Sequence, residues 1–164
     1  MKCAEEIATN SKARRLKVGC IVVRDDGHNE RIISQGWNGT PSGDDNNCEI
    51  EQTYIIPDFK IDEYKKEGYT IDYSSDDDQL VYATRLVTKP EVLHAERNAL
   101  DKITRSTESS LGASLFVTHS PCLECAKSIY GSGIAEVYFG KVYRSEEGLE
   151  FLRKHKVRVV QINK

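Results

Sequence analysis

The 164-residue chain has no apolar run of about 18 residues, which excludes a bilayer-spanning helix. Its N-terminus turns acidic at Glu5-Glu6 and has no apolar signal core, so an intracellular, cytoplasmic protein is expected. Cysteines are few, five and therefore odd in number, and only Cys122 and Cys125 lie close together. That excludes a disulfide framework and makes the close pair a metal or redox site. Cys3, Cys20 and Cys48 are expected as reduced thiols, Cys20 inside an apolar strand. The chain also lacks the basic excess of a polynucleotide binder, with a net charge of −3. Between Asp44 and Lys89 stand 12 acidic and 5 basic residues; the rest holds 14 acidic and 18 basic ones. A mildly basic body with an acidic excursion suits a small phosphorylated anion better than a polynucleotide or a membrane.

The pattern along the chain predicts one domain over 1–164, with an acidic insertion at about 44–90. A helix is expected near 3–15 and a strand at 18–24. After the turn signal Asp25-Asp26-Gly27, a second strand at 31–35 completes a hairpin. Gly36 to Gly43 (GWNGTPSG) is too rich in Gly and Pro for helix or strand. The insertion shows no clear period, although Ile55, Ile56, Phe59 and Ile61 suggest that parts of it pack down; it also carries the cluster Asp76-Asp77-Asp78. Beyond Glu91, helices at about 94–105, 122–131 and 145–154 alternate with strands at 114–118, 135–139 and 156–162. This predicts an α/β fold, a three-layer α/β/α sandwich whose mixed, roughly five-stranded sheet carries helices on both faces.

Three residues stand out as metal ligands. His94 opens one predicted helix, and Cys122 and Cys125 lie three apart at the start of another, a spacing that brings both sulfurs to one side of a turn. Ser120 as N-cap and Pro121 as first helical residue would place both cysteines in the first turn. There the dipole and the free amides favour thiolates. One imidazole and two thiolates are a zinc set, and three protein ligands leave a fourth position for water. Glu96, two residues after His94, need not bind metal and is placed to shuttle protons. His-x-Glu followed by Pro-Cys-x-x-Cys is the signature of zinc deaminases, with the glutamate as general acid and base. A zinc ribbon would want a second Cys-x-x-Cys, which is absent from the chain.

At these residues the chain resembles the phage-type deoxycytidylate (dCMP) deaminases of the zinc-dependent cytidine deaminase superfamily. The resemblance runs from about Ser11 to the C-terminus, apart from the insertion. It includes Val18-Gly19 at the start of a strand and the loop Gly36-Trp37-Asn38-Gly39-Thr40-Pro41-Ser42-Gly43. It implies a cytidine deaminase-like fold and hydrolysis of dCMP to dUMP and ammonia, supplying dUMP for thymidylate synthesis. One catalytic Zn2+ per chain is implied, since no cysteine occupies 12–17, where some phage members hold a second zinc. It further implies that Asn38, Ala95, Ser120 and Tyr143 bind the nucleoside, with Arg14, Arg15 and Lys17 the nearest basic group for the phosphate. Gly39, Thr40, Ser42, Gly43 and Arg105 correspond to a regulatory nucleotide site for dCTP and dTTP, with Mg2+ admissible beside the triphosphate. A hexamer is implied as well.

Alternatives stay open at this stage. The arginines at 14 and 15 leave room for an enzyme that also accepts dCTP. A tRNA adenosine deaminase shares the zinc motif, but the acidic insertion and the Gly36 to Gly43 loop count against it. A free cytidine deaminase would need neither that loop nor the basic group. A non-catalytic zinc module would have no use for Glu96.

Overall fold

The computed structural model describes residues 1–74 and 80–162; the acidic cluster at Asp76–Asp78 lies outside the described residues. Helix α1 (Lys2–Ala8) is much shorter than the expected 3–15. Three polar residues in succession stop it. Thr9 Oγ1 and Asn10 Nδ2 donate to the carbonyls of Glu6 and Ile7 at 2.7 and 3.2 Å, and Ser11 Oγ donates to the Asn38 carbonyl at 2.7 Å. Such side chains compete with the helical ladder and favour its end.

Strands β1 (Gly19–Asp25) and β2 (Glu30–Trp37) form the expected hairpin, with a register slip between Val22 and Val23. Its turn is held by Asp25, which accepts the Gly27 amide, and by Asp26, which accepts those of His28 and Asn29. Gly36 and Trp37 belong to β2, although their composition read as loop. The strand continues because the glycine is needed for close approach: a Cβ at Gly36 would stand 2.3 Å from the Ala95 carbonyl oxygen of the helix above. On β1, a Cβ at Gly19 would stand 2.0 Å from the Ala4 carbonyl oxygen of α1. Gly36 pairs with Cys20, the neighbour of Gly19, so these two helices cover opposite faces.

The segment that showed no period folds into a second sheet. Strands β3 (Glu49–Ile56), β4 (Thr70–Tyr73) and β5 (Val81–Thr88) pair antiparallel in the order β3-β5-β4, with α2 (Ile61–Lys66) between the first two in sequence. A small core of Ile56, Tyr69, Val81 and Ala83 holds it, with Ile61, Tyr64 and Ile71 packed alongside. Ile56 and Ile61 pack down as expected. Ile55 and Phe59 do not; they are 64% and 84% exposed.

The remainder follows the expected alternation with ends shifted by a few residues: α3 (Ala95–Ile103), β6 (Ser114–His119), α4 (Leu123–Gly131), β7 (Glu136–Lys141), α5 (Glu147–Lys154) and β8 (Arg158–Gln161). The main sheet has the order β2-β1-β6-β7-β8, antiparallel as far as β6 and parallel from β6 to β8. Two parallel crossovers in one direction place α4 and α5 on one face. There Ala126, Ile129, Leu149 and Leu152 join Cys20, Val117, Val137 and Phe139 in the main core, beside Ala99 and Leu100 of α3. The result is the three-layer mixed α/β architecture. No helix among the described residues is long and apolar enough to cross a membrane.

The contact at Gly36 generates a prediction. Gly36→Ala should destabilise the fold by about 1–3 kcal/mol, because backbone and not a flexible side chain must yield. Thermal unfolding should show a drop of several degrees, and an unchanged midpoint would refute the close-packing account.

Candidate active site

His94 and the cysteines occupy the N-termini of two helices on the same face of the sheet. An antiparallel bridge fixes the residue before His94: the Gly39 amide donates to Leu93 and the Leu93 amide to Gly39, at 3.1 and 2.9 Å. His94 is the extended N-cap of α3, its carbonyl accepting the Asn98 amide at 2.9 Å. Cys122, not Ser120, is the N-cap of α4, and its carbonyl accepts the Ala126 amide at 2.9 Å. Ser120 was expected to cap; it is instead drawn away, its hydroxyl accepting the Tyr143 amide at 2.8 Å while its own amide donates to Lys141. The helix therefore starts later, with Cys122 at its mouth and Cys125 in its first turn.

The donor atoms converge. Nδ1 of His94 lies 3.6 Å from Sγ of Cys122 and 3.3 Å from Sγ of Cys125, and the three atoms lie within 4.8 Å of one another. A tetrahedral zinc with bonds of about 2.3 Å to sulfur and about 2.0–2.1 Å to nitrogen requires nitrogen–sulfur edges of about 3.6 Å. The residues present fit that ion. Hydrogen bonding by Cys125, and then by His94, pulls the Cys122 thiol down to about 3. Cys125 is pushed up because Cys122 holds the thiolate beside it and because it is buried. The trio thus carries an anionic sulfur at neutral pH, as a zinc ligand must.

Glu96 lies in the first turn of α3 and is only 4% exposed. Burial raises its pKa above the ordinary carboxylate value, which suits a group that both takes and gives protons. Beneath it Cys20 is wholly buried, its thiol pushed up by burial and by the charge of Glu96.

A cavity of about 450 Å³ opens over these groups, at the carboxyl ends of β6 and β7 where parallel strands expose their last residues. Asn38, Ala95, Ser120, Tyr143 and Arg15 line it, so the structure brings these sequence-selected residues together with His94, Glu96 and Cys122. The Asn38 side chain also clamps the chain before β1: Oδ1 accepts the Val18 amide at 2.7 Å and Nδ2 donates to the Leu16 carbonyl at 2.8 Å. Arg14 and Lys17 are exposed and lie outside the cavity lining. The residues selected for an effector are dispersed. Gly39 is in the bridge to Leu93, Thr40 has its hydroxyl oxygen buried without a hydrogen-bond partner among the described residues, and Ser42 and Gly43 are exposed. Arg105 lies beyond the other end of α3, whose nine residues span about 13 Å at 1.5 Å each.

Five polar residues of the lining were not singled out from the sequence. His119 and Lys141 end β6 and β7, and Arg144 follows Tyr143, its guanidinium 4.9 Å from that ring's centre. Their position at the carboxyl ends of predicted parallel strands was a usable signal. Burial, and then the Lys141 charge, hold the His119 pKa below its ordinary value. Glu49 and Thr88, the facing ends of β3 and β5, carried no comparable signal.

Comparison with known proteins agrees with the geometry. Residues 1–141 match the family model for the cytidine and deoxycytidylate deaminase zinc-binding region. The deoxycytidylate deaminase of Enterobacteria phage T4 is 34% identical, over 87% of this chain and 76% of the relative. That of Mycobacterium phage D29 is also 34% identical, over 84% and 88% respectively. A crystal structure of dCMP deaminase from the cyanophage S-TIM5, in complex with dCMP and dUMP, superposes with a TM-score of 0.71 at 36% identity, covering 98% of this chain and 92% of that one. A tRNA:A34 deaminase structure shares the fold at 19% identity and a TM-score of 0.52. The chain belongs to the family of zinc-binding cytidine and deoxycytidylate deaminases, and within it resembles the phage dCMP deaminases.

Proposed function

We propose that the protein is a hydrolase that converts dCMP to dUMP and ammonia. The observation that carries this reading is the convergence of His94, Cys122 and Cys125 beside a buried Glu96, in a cavity of nucleotide size lined by cations. Held by those three ligands, zinc supplies a Lewis acid that makes water reactive near neutral pH. The chain's own residues do the remainder. Glu96 takes the proton from the attacking water, delivers it to N3 of cytosine, and relays a second to the departing amino group at C4. Its burial raises the pKa of that carboxyl above the ordinary value, which makes it a better proton acceptor than an exposed glutamate. Asn38 and Tyr143 border the nucleoside, and Arg15 takes the phosphate. The phage dCMP deaminases, one of them crystallised with substrate and product, support the same choice.

A second substrate has a specific observation behind it. Arg15, Lys141 and Arg144 all line the cavity, more positive charge than a monophosphate requires, which supports acceptance of dCTP as well. The product dUMP would feed thymidylate synthesis, and none of the five cysteines forms a disulfide, in keeping with a cytoplasmic setting. Control by dCTP and dTTP belongs to the same reading, with Mg2+ beside the triphosphate. The loop at Gly39–Gly43 and Arg105 stand at opposite ends of α3, so their joint action on one effector calls for neighbouring chains, as in a hexamer.

Two outcomes test the core of the proposal. Glu96→Gln should keep zinc at one ion per chain by metal analysis while dCMP turnover falls by about 10²- to 10⁴-fold; turnover near the wild-type rate would overturn the assigned role. Cys122→Ala should lose both zinc and activity, and a variant that retains one tightly held zinc per chain would disprove the ligand set. Assays with dCMP, dCTP, deoxycytidine and tRNA, each with and without dCTP or dTTP as effector, decide the substrate.

A further inference from the structure

The inserted sheet touches the cavity at one place, the first pair of its β3–β5 ladder, where Glu49 faces Thr88. Glu49 is 2% exposed, a burial that glutamate accepts only when its charge is satisfied. Main-chain amides provide for it. The Arg14 N–H donates to both carboxylate oxygens at 3.1 and 3.2 Å, and the Arg15 N–H donates to Oε1 at 3.2 Å. The Arg14 guanidinium adds a looser ion pair at 3.9 Å. Charge-assisted bonds from two successive amides leave the backbone at 14–15 little freedom.

Thr88 completes the hold from the opposite strand. Its Oγ1 accepts Arg15 Nη1 at 3.1 Å. A hydroxyl that accepts still has its own hydrogen to donate, here at the cavity wall. Arg15 forms no ion pair with a carboxylate side chain among the described residues, so its charge is available to a ligand. The inner end of the insertion is itself tied down. The Lys89 amide donates to the Cys48 carbonyl at 2.9 Å, and Cys48 packs with Ala13 and Val92 in a small core under the same segment.

We infer that the inserted sheet positions the substrate's phosphate group: Glu49 fixes the main chain at Arg14–Arg15, and Thr88 aims the Arg15 guanidinium into the cavity. Glu49 and Thr88 are thus positioning residues, acting through Arg15, and the inference rests on the dCMP reading given above. Pre-organisation of the arginine removes much of the ordering cost of binding an anion with a long flexible side chain. A merely structural role for the pair would weaken every substrate alike. A positioning role weakens only those that carry phosphate.

Zinc-loaded enzyme, compared on dCMP and deoxycytidine, separates the two. Thr88→Val should raise KM for dCMP and lower kcat/KM about tenfold, as expected for losing a hydrogen bond to a charged group, with deoxycytidine changed less than about twofold. Thr88→Ser, which keeps the hydroxyl, should restore the preference. Glu49→Gln should show the same phosphate-selective loss, and Glu51→Gln, exposed on the same strand, should not. Titration of dUMP against deoxyuridine provides the matching binding ratio without turnover. Equal losses on nucleotide and nucleoside, or an unchanged ratio in Thr88→Val, would overturn the inference while leaving the deaminase reading intact. A wild-type enzyme with no preference for dCMP over deoxycytidine would instead remove the phosphate reading underneath, and the inference with it. Should Glu49→Gln fail to fold, the Val and Ser variants at Thr88 decide alone.

Discussion

The arrangement depends on two helix N-termini meeting above one sheet. His94 caps α3 and Cys122 caps α4, and their donor atoms approach to within hydrogen-bonding distance of one another. Each helix end brings unpaired amides and a positive dipole, so together they form a site that favours anionic sulfur. Two packing constraints hold the ends in place. Gly36 lets α3 lie directly on β2, and the bridge between Gly39 and Leu93 sets where that helix begins. Displacing either would move His94 and Glu96 together, since they are two residues apart on one helix.

Two glutamates are buried around the same cavity, and their surroundings give them different work. Glu96 is buried among cysteines and a histidine, and desolvation raises its pKa. Glu49 is buried as deeply but receives two main-chain amides, which satisfy its charge in place. One carboxyl is pushed toward its neutral form; the other ties down the main chain at residues 14 and 15. The chemistry of a buried acid is set by what surrounds it.

The acidic segment between β2 and α3 is therefore more than an excursion of charge. Its sheet has a core of its own around Ile56, Tyr69, Val81 and Ala83, and its inner end reaches the catalytic cavity. Its lack of visible period has a physical reason. Strand β3 buries only its two end residues, Glu49 and Ile56, and leaves Ile55 exposed, so no alternation of apolar and polar residues can appear. A strand whose faces are both largely solvated has little need of one.

The amino-acid sequence by itself determined the reaction class and the order of the main elements. A cysteine pair three apart, a histidine and a glutamate two beyond it are recognised as zinc chemistry because together they match a known signature. The three-residue spacing already brings the two sulfurs to one side of a turn; that His94 meets them was decided by the packing of two helices. The alternation after Glu91 likewise implied the layered sheet. What folding alone decided lies in contacts between distant segments. Gly36 could not be assigned to a strand before α3 was seen against it, and Ser120 could not be denied its capping role before Tyr143 was seen to take its hydroxyl. The grip of Glu49 and Thr88 on residues 14 and 15 spans 34 to 73 positions of chain, and no local pattern encodes a bond of that reach.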